Sequence, residues 1–478
     1  MKLTSLFYLL FFSFLFGCHK DPVLKDTSAK LEFSQDTVLF DTVFTTVGSS
    51  TKWLQVYNTH KKKLIVSSIR LAGGNNSFFK INVNGKSGRE FKDVEIAGKD
   101  SIFIFVEVTV DPRNANSPMV VTDSLVFEIN GNIQDVDLVA WGQDAYFHTP
   151  IGGTVFTPIK YCNEVWSNDK PHVVYGYAIV DSSCTLTITQ GANIFIHNGS
   201  GILVYTGGSL KIKGTQASPV SIMGDRLQGS YRKKPGQWDR IWLYAGSINN
   251  EVEYAVIQNG NVGFQADTTG NSVNPTLRIK NTIIQNMAGA AIYAQGSSIE
   301  ASNCVFANCG IHNVLLSIGG SYSFIHCTLA NYWSEDTRKT PLLGLNNYYV
   351  ANDKSTQVRN LTKAYFGNCI LFGNLEKEIG LDYVSSGEFK YMFDYCLIRS
   401  DSILDAEMIA NPGKFTGIIK YEKDTLPPLF SDNANNDYTL QSSSPAIDKG
   451  STSIAAFVPN DLKGISRIAL PDLGALEK

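Results

Sequence analysis

Charge of either sign is scarce in this chain of 478 residues, at 18%. It is also balanced, with 41 Lys+Arg against 44 Asp+Glu for a net charge of −3. That balance excludes a nucleic-acid binder relying on overall basicity, and no nucleic-acid partner is expected. No stretch reaches the roughly 18 consecutive apolar residues that a membrane-spanning helix needs. Cysteine is sparse, at 8 residues. No CxxC pair and no Cys/His cluster has zinc-ligand spacing, so neither a metal nor a cofactor is expected. Helical periodicity of 3.6 is missing along the middle of the chain. Hydrophobic residues nonetheless make up 43%, which excludes a disordered chain.

What is abundant is glycine, aromatic residues and asparagine, with 40 Gly, 27 Phe and 21 Tyr. This is the composition of strands and turns. At the start, Met1 and Lys2 precede an apolar run from Leu6 to Phe16, broken only by Ser13. The run has the length of a signal-peptide core, and residues 1–17 are read as a leader. Its end, Leu15-Phe16-Gly17-Cys18, resembles the bacterial lipobox, which implies lipidation at Cys18. Residues 18–28, beginning His19-Lys20-Asp21-Pro22 after the cysteine, read as a solvated tether. The expected location is the cell envelope, as an outer-membrane lipoprotein facing the periplasm or the cell surface. The lipid is the expected membrane attachment.

Residues 29–145 alternate at period two between turns such as Asn84-Gly85 and Asn130-Gly131. About seven short strands of this kind predict an antiparallel β-sandwich. The stretch "GSSTKWLQVYNTHKKKLIVSSIRL" followed by "SFFKINV" resembles immunoglobulin-like domains of the abnormal-spindle-like type. Residues 146–176, with Gly152-Gly153, Pro150, Pro158 and Pro171, read as a linker and lead-in.

From residue 177 to 430 the rhythm changes to short strands separated by single tight turns. Six segments align: "YAVIQN", "NTIIQN", "NCVFAN", "HCTLAN", "NCILFGN" and "YCLIRS". Their second column holds Ala255, Thr282, Cys304, Cys327, Cys369 and Cys396, at spacings of 27, 22, 23, 42 and 27. The long spacing predicts an inserted loop near 332–363. Four positions on stand Asn259, Asn286, Asn308 and Asn331, then Gly373 and Ser400. A helix-free unit of this size cannot bury its apolar edge alone and must stack as a rung of a solenoid. The second column is then an interior ladder of small residues, and the Asn column a chain of side-chain amides. Without Cys18 seven cysteines remain, an odd number that argues against a full disulfide framework.

These rungs, with "LTITQGANIFI", "GSLKIKGTQASPVSI" and "GQWDRIWLYAGS", resemble a right-handed parallel β-helix of the pectin-lyase-like superfamily. The end of the chain, residues 431–478, carries "SPAIDKGS", "NDLKGISR" and "PDLGALE", which is similar to a closing segment found after such helices. The whole chain resembles right-handed β-helix repeat lipoproteins of the Bacteroidota. The fold class expected is therefore all-β, a sandwich followed by a solenoid.

β-Helices of this superfamily host polysaccharide lyases and hydrolases, which need paired carboxylates or acidic calcium ligands beside a basic residue. Only Arg278-Ile279-Lys280 echoes such a signature, and no acid recurs in the stacking column. Glu251/Glu253 and Glu376/Glu378 are read as solvated pairs, and no catalytic residue is assigned. Two places are candidates for ligand binding. The loop "GDRLQGSYRKKPGQWDR" gathers Arg226, Arg232, Lys233, Lys234 and Arg240, suited to acidic glycans or lipid-linked phosphates. The insert brings Tyr332, Trp333, Tyr348 and Tyr349, whose rings could stack on sugars. The stretch Asp432 to Asp437 reads as a turn rather than a calcium loop. The expected function is a lipid-anchored, non-catalytic binding or scaffolding module, with a polysaccharide or an envelope protein as partner. The alternatives are a polysaccharide lyase or hydrolase, and an adhesin or envelope-complex subunit.

Overall fold

The computed structural model of the chain describes residues 22–44, 48–110, 119–150, 159–227, 229, 231–269, 274–421 and 427–478. The leader and Cys18 lie outside the described residues. The chain divides into two compact units, residues 1–144 and 145–478.

In the first unit, strict alternation obliges each strand to bury one face, and two five-stranded sheets result. One runs Glu32–Phe33, Lys52–Tyr57, Ser101–Val108, Phe79–Val83, Lys86–Gly88 in spatial order; the other runs Thr37–Phe44, Asn132–Gln143, Met119–Ile129, Leu64–Leu71, Glu90–Ile96. Leu54, Val56, Ile104 and Val106 from the first sheet join Val38, Val66, Phe127 and Leu138 from the second in one core. That shared core makes the unit a sandwich. The hairpin between the two longest strands turns at Asn130 and Gly131, with φ of 47° and 85°. Both lie in the left-handed region that a two-residue hairpin turn requires. Two features depart from the sequence expectation. Ten strands form among the described residues, and Thr37–Phe44 pairs parallel with Asn132–Gln143. The two partners are distant in sequence, so no hairpin dictates an antiparallel course between them.

The second unit is a parallel β-helix. Its strands fall on three parallel sheets of eleven, nine and ten strands, here called faces A, B and C. A regular coil passes from Ser298–Ser302 on face C to Val305–Cys309 on face A and His312–Ser317 on face B. It then returns to face C at Gly320–Ile325, in register with the strand below. One continuous apolar core fills the interior.

The corner from face C to face A explains the Asn-Cys pairs. Asn281, Asn303, His326, Asn368 and Tyr395 precede the ladder positions, all with φ between 50° and 52°. Asn tolerates this left-handed conformation better than most residues. Just inside the corner, Thr282, Cys304, Cys327, Cys369 and Cys396 are fully buried, one per coil. Their hydroxyl and thiols donate to carbonyls beside the turn, as from Thr282 Oγ1 to Lys280 at 2.8 Å and from Cys304 Sγ to Ser302 at 3.2 Å. Phe324, Phe366, Phe393 and Phe415 stack nearly parallel in the same core, 5.1, 5.0 and 5.5 Å apart.

Several boundaries differ from the sequence reading. The solenoid begins at Tyr146–His148, which pairs parallel with His172–Val174, so the lead-in is itself a coil. Its start is lidded by stacked rings: Trp166 lies 4.3 Å from His148 and 5.0 Å from His172. Cys162 and Cys184 form a disulfide between neighbouring coils, with a Cα separation of 4.6 Å. Consecutive coils bring turn residues close enough to bridge, a pairing not anticipated for adjacent rungs. The 42-residue spacing is a single coil, since Thr328 pairs with Ile370. Its extra length comes from two excursions, 332–342 and 347–360, on either side of the face B strand Leu343–Asn346. An unexpected helix, Ser402–Ala410, is N-capped by Asp401 and buries Leu404 against the end of the core.

The closing segment packs along face A, where Phe430, Tyr438, Leu440, Leu473 and Ala475 cover Val305, Ala330, Ile370 and Leu397. Arg467, fully buried, donates from Nη1 to Glu477 and from Nη2 to Asn303 Oδ1 at 3.1 Å. No helix among the described residues is long and apolar enough to cross a membrane.

The five buried thiols of the solenoid should resist a thiol reagent in the native protein and react together on denaturation. Burial pushes Cys309 up to about 12, so at that residue the reactive thiolate is suppressed as well as shielded. Titration of any of these thiols under native conditions would contradict this packing. At the other end, burial and neighbouring His172 hold His148 down at about 3 against an ordinary 6.5. Its stabilising contribution is complete above about pH 6.5 and declines as the pH falls toward 3, because the unfolded chain takes up a proton that the folded ring refuses. Melting temperature should therefore drop between pH 7 and 4, and His148→Gln should flatten that slope.

Candidate functional site

The basic loop leaves the strand Val220–Gly224 on face A and re-enters at Arg240–Leu243 on face B. Its backbone is clamped by side-chain amides, two from neighbouring coils and one from the loop itself. Asn259 Nδ2 donates to the Arg232 carbonyl at 2.7 Å, Asn286 Nδ2 donates to the Lys233 carbonyl, and Gln237 Nε2 donates to the Lys234 carbonyl at 2.7 Å. Asn259, Asn286 and Asn308 sit at the corner from face A to face B, with φ of 68°, 58° and 49°. The expected amide chain extends one step, from Asn286 Nδ2 to Asn259 Oδ1 at 2.6 Å. Above it the column changes purpose. Asn308 donates to Asn436 Oδ1 at 2.6 Å, while Asn331 turns inward to Asn313 Oδ1 at 2.6 Å. The excursion that starts at Tyr332 pulls the backbone away from the regular corner there.

That excursion meets the basic loop, and Lys234 pairs with Glu335 at 2.7 Å. Together they enclose a cavity of about 330 Å³, lined by Arg232, Lys233, Gln258, Asn259, Gln285, Asn286, Asn308, Tyr332 and Trp333, with Asn435 and Asn436. The last two belong to the Asp432–Asp437 stretch, a turn in which Asp432 Oδ1 accepts from Asn435 N at 3.2 Å. A buried ion pair fixes the excursion. Arg338 donates to Glu378 through both terminal nitrogens, at 2.8 and 2.6 Å, with side chains 1% and 0% exposed. Glu378 also accepts the Leu375 and Leu342 amides. A Cβ at Gly373 would lie 2.1 Å from its carboxylate, which is why glycine stands in the column at that coil.

The candidate residues separate into three groups. Arg232 and Lys233 are exposed, and no ion pair engages them among the described residues. Arg226 lies 3.3 Å over the Tyr231 ring, and Lys234 is held by Glu335. Arg240 stands apart on face B, bound to Asp239 at 2.9 Å. The aromatics of the insert are not one cluster. Trp333 is only 7% exposed and donates from Nε1 to Asp336 at 2.6 Å, so it walls the cavity instead of offering a ring face. Tyr332 packs between Phe372 and Phe430, and burial raises its hydroxyl above the ordinary phenol range. Tyr348 and Tyr349 occupy the second excursion, in the hairpin Tyr348–Val350 with Thr356–Val358. There Tyr348 donates to Asp382 at 2.9 Å and Arg359 lies 5.7 Å over Tyr349.

Among the acids, Glu251, Glu253 and Glu300 pair on face C with Lys211, Lys280 and Arg278, each at 3.0 Å. Arg278-Ile279-Lys280 therefore belongs to a charge ladder. Glu378 is no solvated partner of Glu376 but the buried anchor of Arg338. Among the described residues no group of three His, Cys, Asp or Glu side chains converges to hold a metal. The sequence reading passed over Arg338, Trp242 and Tyr244, and gave Glu378, Asp239 and Asp267 no part in a site. Period-two alternation in "WDRIWLY" does place Arg240, Trp242 and Tyr244 outward around buried Ile241 and Leu243.

No family model and no curated protein matches the chain. Twelve chains of solved structures are similar to parts of it, among them the following three. The PapD-like domain of human CEP192 is 11% identical, with 26% of this chain and 90% of that one aligned at a TM-score of 0.17. A family 123 glycoside hydrolase from Clostridium perfringens is 10% identical over 25% of this chain and 30% of that one, at 0.17. The catalytic domain of a GH87 α-1,3-glucanase in complex with nigerose is 10% identical over 78% and 88%, at 0.16.

The Arg338–Glu378 pair makes the cavity wall testable. Arg338→Ala should cost about 3–5 kcal/mol in denaturant unfolding, because it leaves a buried carboxylate unpaired. A loss below 1 kcal/mol would mean that the excursion is held by something else.

Proposed function

We propose that this protein is a lipid-anchored envelope protein whose solenoid binds a carboxylate- or phosphate-bearing glycan without transforming it. In this reading it is a β-helix repeat lipoprotein of the Bacteroidota type, and the sandwich is an immunoglobulin-like spacer. The observation that carries the binding role is the state of Arg232 and Lys233. Their backbone is pinned by Asn259 and Asn286, while their charged ends stay exposed beside a cavity edged with amides. Fixed cations with adjacent amide donors and acceptors suit an anionic sugar, whose acid group needs charge and whose hydroxyls need hydrogen bonds. The acids on face C and Glu378 are engaged in ion pairs, which favours binding over a lyase or hydrolase. Release of unsaturated or reducing ends from a uronate polysaccharide would reverse that preference. Co-purification of an envelope protein without glycan binding would favour the adhesin or complex-subunit reading.

The binding test uses oligogalacturonate and phosphorylated lipid-linked glycan as probes. Arg232→Ala with Lys233→Ala should weaken retention roughly tenfold, and rising salt should weaken the unaltered protein in the same direction. Retention indifferent to both changes removes the proposal. Anchoring is tested separately, since Cys18→Ala should abolish lipid processing and shift the protein out of the membrane fraction.

A further inference from the structure

Face B carries a second surface that the basic loop does not use. Strand register puts Leu203, Trp242, Gln265 and Tyr293 in one outward column. The residues following these strands, Tyr205, Tyr244 and Asp267, lie beside it. Tyr205 and Tyr244 stack with centroids 5.4 Å apart and planes 10° from parallel, and they stay 45% and 37% exposed. Trp242 meets Tyr244 edge-on at 5.7 Å. Unlike Trp333, these rings keep accessible area.

Around them runs a closed polar network. Tyr177 donates to Asp239, and Arg240 grips the same carboxylate through Nε at 3.0 Å and Nη2 at 2.9 Å. Arg240 Nη1 donates to Gln265 Oε1, and Gln265 Nε2 donates to Asp267 Oδ1 at 2.9 Å. The Trp242 indole donates to Asp267 Oδ2 at 2.7 Å. Every carboxylate oxygen is therefore already bonded, and the one cation is matched. Such a network fixes the Trp242 ring and the platform rather than presenting a free charge. From Tyr244 and Asp267 the surface continues into a groove of about 740 Å³ that ends at Tyr349 and Arg359, with Thr268, Gln295 and Thr362 among its polar residues.

We infer that this platform and groove form a glycan-binding site for a neutral pyranose chain, distinct from the anionic site at Arg232 and Lys233. The aromatic rings would take the apolar faces of sugar rings, and the hydroxyl and amide side chains of the groove would take their hydroxyls. On the platform a uronate would gain no charge pairing, since Arg240 is committed to Asp239; Arg359, at the far end of the groove, lies over Tyr349 and donates to the Val358 carbonyl.

The test is affinity electrophoresis of the full chain in gels containing a neutral β-glucan, a neutral α-glucan or a mannan, with oligogalacturonate as the anionic control. At least one neutral glycan should retard the protein. Tyr205→Ala and Tyr244→Ala should each weaken that retardation roughly tenfold. Tyr244→Phe, which keeps the ring, should preserve it, and Arg232→Ala with Lys233→Ala should leave it unchanged. Circular dichroism of each variant separates lost binding from lost folding, and quenching of tryptophan fluorescence by the same glycan supplies a second readout. The inference is overturned if no neutral glycan retards the chain, or if folded Tyr205→Ala and Tyr244→Ala variants bind as the unaltered protein does. Neither result touches the anionic site, whose probe and variants are different.

Discussion

Parallel register between successive coils is the constraint on which the solenoid depends. A single coil has three short strands and a core only one residue deep, so it exposes its edges above and below. Main-chain hydrogen bonds to its neighbours satisfy those edges, and stacking identical side chains fills the interior. Once register is fixed, a residue's chemistry is multiplied along a column. One left-handed corner becomes five, with φ between 50° and 52° from Asn281 to Tyr395. One small buried residue becomes a row of thiols, and one phenylalanine becomes a stack about 5 Å in repeat. The columns are consequences of the register rather than separate stabilising devices.

A solenoid has two ends that register cannot satisfy, and the structure treats them differently. At the start, aromatic and imidazole rings form a dry lid in which His148 stays neutral, and a disulfide joins Cys162 to Cys184 nearby. At the far end, Ser402–Ala410 presses Leu404 onto the exposed core. The closing segment then returns along face A. It saturates the corner amides with partners of its own: Asn303 with Asn460 and Arg467, and Asn368 with Ser451. A buried arginine such as Arg467 costs desolvation, and it is tolerated because Glu477, Asn303 and the Gly474 carbonyl all accept from it.

How much of this was legible in the sequence follows from the same distinction. Periodic features were readable because repetition is visible without coordinates: the Cys and Asn columns and the rung length announce themselves by recurrence, while the closing segment was read from its resemblance to segments that follow such helices. Features made by departures from the repeat were not. Arg338 and Glu378 are 40 residues apart and carry no motif, so nothing in one dimension shows that they meet in a dry site. The insert was visible only as extra length, which concealed the strand Leu343–Asn346 inside it. Cys162 and Cys184 lie outside the aligned column, and their pairing depends on two turns coming within 4.6 Å at the Cα atoms. The basic loop and the aromatic insert were each legible, but their meeting was not. The rings of the insert were read as open to sugars, whereas Trp333 is spent on packing.

The two candidate surfaces arise from opposite uses of the coil. Where the chain breaks register, at the loop before Arg240 and the excursion after Asn331, side chains such as Arg232 and Lys233 escape the pairing that neutralises the ladder on face C. The unpaired charge beside the cavity is therefore a product of the irregular coils. Where register is kept, outward residues on adjacent coils neutralise one another, as Lys211 does with Glu251 and Arg278 does with Glu300. What remains accessible on the regular platform of face B is uncharged: ring faces and amides. A parallel β-helix of near-zero net charge can thus offer both an anion-seeking cavity and a neutral platform, because stacking pairs opposite charges along a face and the interruptions leave charges such as Arg232 and Lys233 unpaired.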